Sequence, residues 1–184
     1  MQTLRQLPII LVLLITGSIE YFVPDAHGAT RIYANGRAVI AVGAGRTTAV
    51  GRIEFTVPGA NVGDGTRIYG FENGTTSSVL VRAFARAPAG GRLVFWTVNS
   101  SQPLQCATPA SCGATSIPMT EIGWESISGT EIANATFTGA ANQPLLTFPT
   151  SRYIYVWHRF YFVNNTTYPA GDYKSRVVYT VSMP

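Results

Sequence analysis

The period of its apolar residues restricts this chain more than any other feature. From Ala29 onward they recur at every second position between clusters of Gly, Pro and Asn, and nowhere with a sustained helical period. The alternation predicts strands at residues 52–57, 67–71, 79–86, 93–98, 117–124, 132–138, 145–148, 153–163 and 173–183, with no helix between them. The 18 Gly and 11 Pro among 184 residues oppose long helices, and only 12% of residues are charged. A coiled coil, a helical bundle and a multidomain enzyme are thereby excluded. An apolar share of 46% is enough to build a core. The expected fold is all-β: one immunoglobulin-like antiparallel β-sandwich, with a β-barrel as the alternative.

The first 28 residues read as a signal peptide rather than as part of that domain. Arg5 precedes an apolar run at residues 7–15 that breaks at Thr16-Gly17, and small residues follow at Ala26, Gly28 and Ala29. Nine residues of helix cover about 13 Å, short of the ~30 Å hydrocarbon core, and Glu20 and Pro24 spoil any extension. Export with cleavage leaves residues 29–184 as a single domain with no stable membrane span. Loss of Arg5, Glu20 and Asp25 leaves 12 basic and 7 acidic residues, a net charge of about +5. The arginines are scattered singly with no stripe to track phosphates, so nucleic acid is not an expected partner. The expected address is secreted, periplasmic or cell-surface.

Two cysteines six positions apart, Cys106 and Cys112, suit one disulfide closing a small loop in an exported chain. Such a ring contributes roughly 2 kcal/mol, enough to pin a loop but not to hold a domain. The spacing is not C-x-x-C and no histidine stands nearby, so neither a redox pair nor a metal site is expected.

The two ends of the domain carry distinct patterns. Within residues 30–42, one parity reads Thr30, Ile32, Ala34, Gly36, Ala38, Ile40 and Val42, an apolar row with its smallest member at the centre. The opposite parity opens Arg31, Tyr33, Asn35, Arg37. At the other end, Gly171-Asp172-Tyr173 leads into Ser175, Val177, Tyr179, Val181 and Met183 on one face of a strand. The export signal, the alternating extension around Gly36 and the closing strand after Gly171, fourteenth from the end, resemble pilins of chaperone–usher fibres and their secreted bacterial relatives. Two features depart from that pattern: Met183 stands where an aromatic penultimate residue is common, and Cys106 and Cys112 close a local loop rather than joining separated strands.

The resemblance implies a domain that lacks one strand and receives the extension of the next subunit by β-augmentation. Ile32, Ala34, Gly36, Ala38, Ile40 and Val42 would then be donated beside residues 173–183 of a neighbour. The implied function is an exported structural or adhesive subunit, assembling with itself or with other surface subunits into a pilus-like fibre. The alternative keeps residues 30–42 as the first strand of their own domain, in a monomeric binding module.

That module would use the densest aromatic segment. Tyr153, Tyr155, Trp157, Arg159 and Tyr161 share one parity; Ile154, Val156, His158, Phe160 and Phe162 share the other. With the second set in the core, the first is a row of rings about 7 Å apart on the outer face. Such a row stacks on sugars or anchors a protein contact, and it equally suits a strand covered on both faces.

No catalytic constellation is expected. His158 is the single histidine after cleavage and has no companion acid at readable spacing, and there is no Gly-x-Ser-x-Gly elbow. Glu121 and Glu125 would lie about 13 Å apart on one strand, wider than paired-carboxylate hydrolysis uses. The expectation is a protein that is not an enzyme, with no cofactor and no metal site.

Overall fold

The computed structural model of the chain describes residues 9–18, 37–42, 50–72, 78–86, 93–129, 131–150 and 152–183. The strands are β1 (Ile9–Ser18), β2 (Arg37–Val42), β3 (Val50–Val57), β4 (Arg67–Tyr69), β5 (Phe71–Glu72), β6 (Val79–Arg86) and β7 (Leu93–Asn99). They continue as β8 (Leu104–Cys106), β9 (Ser116–Ile117), β10 (Ile122–Ser128), β11 (Ala135–Thr136), β12 (Gln143–Pro149), β13 (Tyr153–Val163) and β14 (Asp172–Ser182). One helical turn, α1 (Pro109–Cys112), lies between β8 and β9.

One sheet runs β12-β7-β14-β1-β3-β5, with β8 and β9 joined at the opening of β14. The other runs β11-β10-β13-β6-β2, with β4 against the end of β13. The protein is mostly β, built of antiparallel sheets, one of them curled as a half-barrel. Among the described residues one pairing is parallel, that of β1 with β14.

Alternation drives the packing as the sequence requires. In β7 Val94, Trp96 and Val98 are buried, in β13 Ile154, Val156, His158, Phe160 and Phe162, and in β14 Tyr173, Ser175, Val177, Tyr179 and Val181. These rows join Ile53, Phe55 and Val57 of β3 and Trp124 of β10 in one core that draws on both sheets. Burying each large apolar side chain contributes about 1.5–3 kcal/mol.

Three predicted strands break where local chemistry outweighs alternation. Residues 67–71 split at Gly70, where the chain leaves β13 and crosses to β3. The Gly70 amide donates to the Phe160 carbonyl at 3.0 Å. A Cβ there would meet Phe55 Cε1 at 2.7 Å and collide with the Ile53 side chain, so glycine marks the crossing. Pro118 has no N–H to extend β9 into β10, and a 3₁₀ turn at Met119–Glu121 intervenes. Within residues 132–138 only Ala135 and Thr136 pair as a strand, because Asn134 Oδ1 takes the Ser126 amide at 2.7 Å in place of a ladder bond.

The largest departure is at the start. Ile10–Ser18 runs parallel along Asp172–Thr180, and Ile9–Thr16 runs antiparallel along Val50–Val57. The apolar run expected to serve as an export signal thus occupies a strand position in the middle of a sheet. Residues 1–8 and 19–36, including the expected cleavage region, lie outside the described residues.

Candidate functional site

The position held by β1 is a slot with two walls. On one side stand Ile53, Phe55 and Val57 of β3, on the other Tyr173, Ser175, Val177 and Tyr179 of β14, all in the buried row. Their register is explicit: Leu11 is opposite Phe55 and Tyr173, Leu13 opposite Ile53 and Ser175, Ile15 opposite Gly51 and Val177, and Gly17 opposite Tyr179. The slot is therefore walled by two rings at one end and by glycine and valine farther along.

The polar groups of the β14 wall are met unequally. Tyr173 Oη donates to the Pro169 carbonyl at 2.9 Å, and Ser175 Oγ donates to the Gln102 carbonyl at 2.7 Å. Tyr179 Oη is buried and has no hydrogen-bond partner among the described residues. Burial pushes that phenol well above its ordinary value.

The disulfide fixes where β14 begins. Cys106 and Cys112 are bonded with their Cα atoms 5.9 Å apart, holding α1 against the chain entering β14. Thr108 Oγ1 accepts from the Asp172 amide at 3.0 Å, and the Ala107 amide donates to the Asp172 carbonyl at 2.7 Å. A Cβ on Gly171 would stand 2.5 Å from Cys112 Sγ and 2.9 Å from Thr108 Oγ1, so this glycine is required by the close approach of the disulfide loop.

Of the six residues assigned to strand donation, Ala38, Ile40 and Val42 lie on β2, paired in cis with Ala85, Ala83 and Val81 of β6. Ile40 and Val42 are in the core. Ile32, Ala34 and Gly36 lie outside the described residues.

The aromatic row of β13 divides in two. Tyr153 and Tyr155 are half exposed, with ring centroids 6.0 Å apart. Trp157 and Arg159 are partly covered, and Tyr161 is buried on the outer face. Tyr161 lies over Gly123, where a Cβ would come within 2.5 Å of its ring. The Arg67 guanidinium covers it at 4.4 Å, and Tyr69 meets it edge-on at 6.2 Å. Arg159 stands 4.2 Å over the Tyr69 ring.

Glu125 ties these groups together. It accepts from Arg67 at 2.8 Å, from Arg159 at 2.7 Å and from Tyr69 Oη at 3.2 Å. The Arg159 hydrogen bond, more than any other contact, holds its carboxyl below the ordinary range, and the same bond raises Arg159. With its side chain 18% exposed, Glu125 is a partly buried charge between two cations. Glu125→Gln is expected to cost about 1–2 kcal/mol by urea unfolding, with the loss shrinking in high salt. An unchanged midpoint would show that stacking alone holds β4 in place. Sequence spacing brings Glu125 into view only as one of a carboxylate pair and does not point to Arg67 or Tyr69, because cross-strand register through β13 brings the three together.

His158 packs between Trp124 and Phe160 at 5.8 Å from each ring, with neither nitrogen hydrogen-bonded among the described residues. Among the described residues no carboxylate is paired with it, and its neighbours are core aromatics. Among the described residues no three His, Cys, Asp or Glu side chains cluster as a metal centre needs. Compared against known proteins, the chain matches no family model and no curated protein.

Proposed function

We propose that the protein is an exported structural subunit of the cell surface, an immunoglobulin-like sandwich that assembles with further copies by strand donation. The observation that carries this reading is the slot between β3 and β14. It is filled by Ile9–Ser18, the apolar run of a segment that reads as an export signal. Removing that run on export leaves two unpaired strand edges above an apolar floor, the situation that β-augmentation relieves. The alternating residues that follow the signal are the natural source of a replacement strand, and pairing along a whole strand gives long-lived fibres.

The test is to express the 184-residue chain for export, sequence the N-terminus of the product, and run it on SDS gels with and without boiling beside electron microscopy. Ladders that collapse on boiling, fibres, and a product without residues 9–18 are the expected result. A monomer that retains residues 9–18, or one unaffected by deleting residues 30–36, would overturn it.

A second reading rests on Tyr153 and Tyr155, which present two adjacent half-exposed rings beside Trp157 and Arg159. A monomeric module would bind a glycan or a protein there. Tyr155→Ser with Trp157→Ser in the folded protein abolishes binding to immobilised surface glycans under this reading and leaves ladders intact under the first.

A further inference from the structure

We infer that the outer face of the β11-β10-β13-β6-β2 sheet binds an acidic polysaccharide, with its sugar rings on Tyr155 and Trp157 and its carboxylates on Arg159, Arg67 and Arg82. The assignment rests on the second reading above, that of a glycan-binding face, and names the class of glycan.

The two sheets differ in charge. Strands β2, β4, β6, β10, β11 and β13 contain five arginines, Arg37, Arg67, Arg82, Arg86 and Arg159, and one acid, Glu125. The strands of the other sheet balance three basic residues, Arg52, Lys174 and Arg176, with three acids, Glu54, Glu72 and Asp172. The five arginines stand far apart in the sequence, and strand pairing gathers them on one sheet. A surplus of one sign concentrated in this way attracts ligands of the other.

Two of the guanidinium groups are fixed before any ligand arrives. Arg67 lies over the Tyr161 ring at 4.4 Å and Arg159 over the Tyr69 ring at 4.2 Å. Glu125 accepts from Arg67 Nη1 at 2.8 Å and from Arg159 Nε and Nη2 at 3.2 and 2.7 Å. One acid thus orients two cations without cancelling both, and the end-on edge of the Arg159 guanidinium is not used by that contact. A planar guanidinium held in this way presents paired N–H groups to a second carboxylate. Both side chains reach solvent, 54% exposed for Arg67 and 37% for Arg159.

The rings stand where a sugar bearing that carboxylate would lie. Tyr155 and Trp157 precede Arg159 on the same face of β13, at intervals of about 7 Å. Pairing with β6 sets Arg82 opposite Tyr155. Cations and ring faces therefore adjoin both along the strand and across it. A neutral polysaccharide would use the rings alone, and an acidic peptide the arginines alone. A chain of uronic acids, with one carboxylate on each sugar, uses both. Single-stranded nucleic acid also joins anions to flat rings, but the polyanions an exported chain meets at a cell surface are polysaccharides.

The experiment titrates the exported product of the 184-residue chain with tetragalacturonate by calorimetry at low salt. The fully methyl-esterified tetramer, with the same sugar rings and no charge, is the companion ligand. The acid is expected to bind at least about tenfold more tightly than the ester, and high salt to remove the difference. Arg159→Lys keeps a cation on Glu125 but loses the planar fork. It is expected to weaken the acid at least about threefold, leave the ester unchanged and keep the unfolding midpoint. Should that midpoint fall, Arg67→Lys, on the more exposed side chain, makes the same test. Tyr155→Ser with Trp157→Ser is expected to abolish binding of both ligands. Equal affinity for acid and ester overturns the acidic assignment and leaves the glycan reading standing. Binding of neither ligand also overturns it, and immobilised surface glycans then decide the glycan reading separately. Oligothymidylate or polyglutamate bound as tightly as tetragalacturonate would reveal a general anion surface and overturn it as well. Undiminished acid binding in the lysine variant with a native midpoint would overturn the placement of the carboxylate on the arginines.

Discussion

Acidification from pH 7 to pH 4 is expected to remove roughly 3 kcal/mol of stability through one side chain, His158. The imidazole is fully buried, stacked on Trp124 with planes 14° apart, and lacks a hydrogen-bond partner on either nitrogen among the described residues. Desolvation lowers its pKa from 6.5 to about 3. Above pH 6.5 the imidazole is neutral in both folded and unfolded chains, and it contributes no pH dependence. As pH falls below 6.5 the unfolded chain takes a proton that the folded chain refuses until about pH 3, so stability is lost across that window. At about 1.4 kcal/mol per pH unit the loss approaches roughly 5 kcal/mol near pH 3.

Other groups can be separated from it. Glu125 and Asp64 are held below their ordinary values, by Arg159 and Thr66 respectively, and their losses set in below about pH 4.5. Glu72 is raised by burial and acts in the opposite sense, adding stability as it protonates. The slope between pH 6.5 and 5 therefore reports His158, opposed by Glu72. Urea midpoints across this range should fall in the native protein and rise slightly in His158→Phe, where the opposing Glu72 remains. Equal slopes in the two would show that the imidazole is not the acid-sensitive group.

His158 also shows how far the sequence was legible. Its parity with Ile154, Val156, Phe160 and Phe162 makes it a core residue if that set faces inward, and the structure buries the whole set. The same period located β6, β7, β13 and β14 to within a residue or two. Alternation failed where a single residue changes the rules, at Gly70 between the sheets and at Pro118 before β10. It also could not show that Ile9–Ser18 has somewhere to go. Nine apolar residues after one arginine have the composition of an export signal, and their pairing with β3 and β14 depends on strands more than thirty residues away.

The aromatic face illustrates the same limit at the level of side chains. Spacing put Tyr153, Tyr155, Trp157, Arg159 and Tyr161 in one row, but it could not distinguish the exposed end from the covered one. Tyr161 is buried because Gly123 on β10 leaves a flat place for its ring and Arg67 closes over it. Glycine 123 and arginine 67 are 38 and 94 positions away, so only the assembled sheet reveals the contact. The half-exposed part of the row is the Tyr153–Tyr155 end, backed by the turn that follows β10.

Among the described residues, that turn is expected to hold the most substitution-sensitive glycine outside the core. Gly129 has φ +76°, and a Cβ there would run into the Tyr155 carbonyl oxygen and stand 3.2 Å from Val156 Cα. Gly139 has nearly the same backbone, φ +74°, with nothing within 4 Å of its Cβ position. Gly139→Ala therefore carries only the cost of a left-handed residue, about 1 kcal/mol. Gly129→Ala carries that cost and a forced shift of the β13 backbone, which brings the total to about 3 kcal/mol. In a domain of this size the two correspond to melting shifts of about 3 °C and ~10 °C. Because the displaced atoms belong to Tyr155, Gly129→Ala should also change the near-ultraviolet circular dichroism of the tyrosine pair, whereas Gly139→Ala should not. Equal melting shifts for the two variants would mean that β13 yields freely at Tyr155 and that backbone crowding does not set the position of the exposed rings.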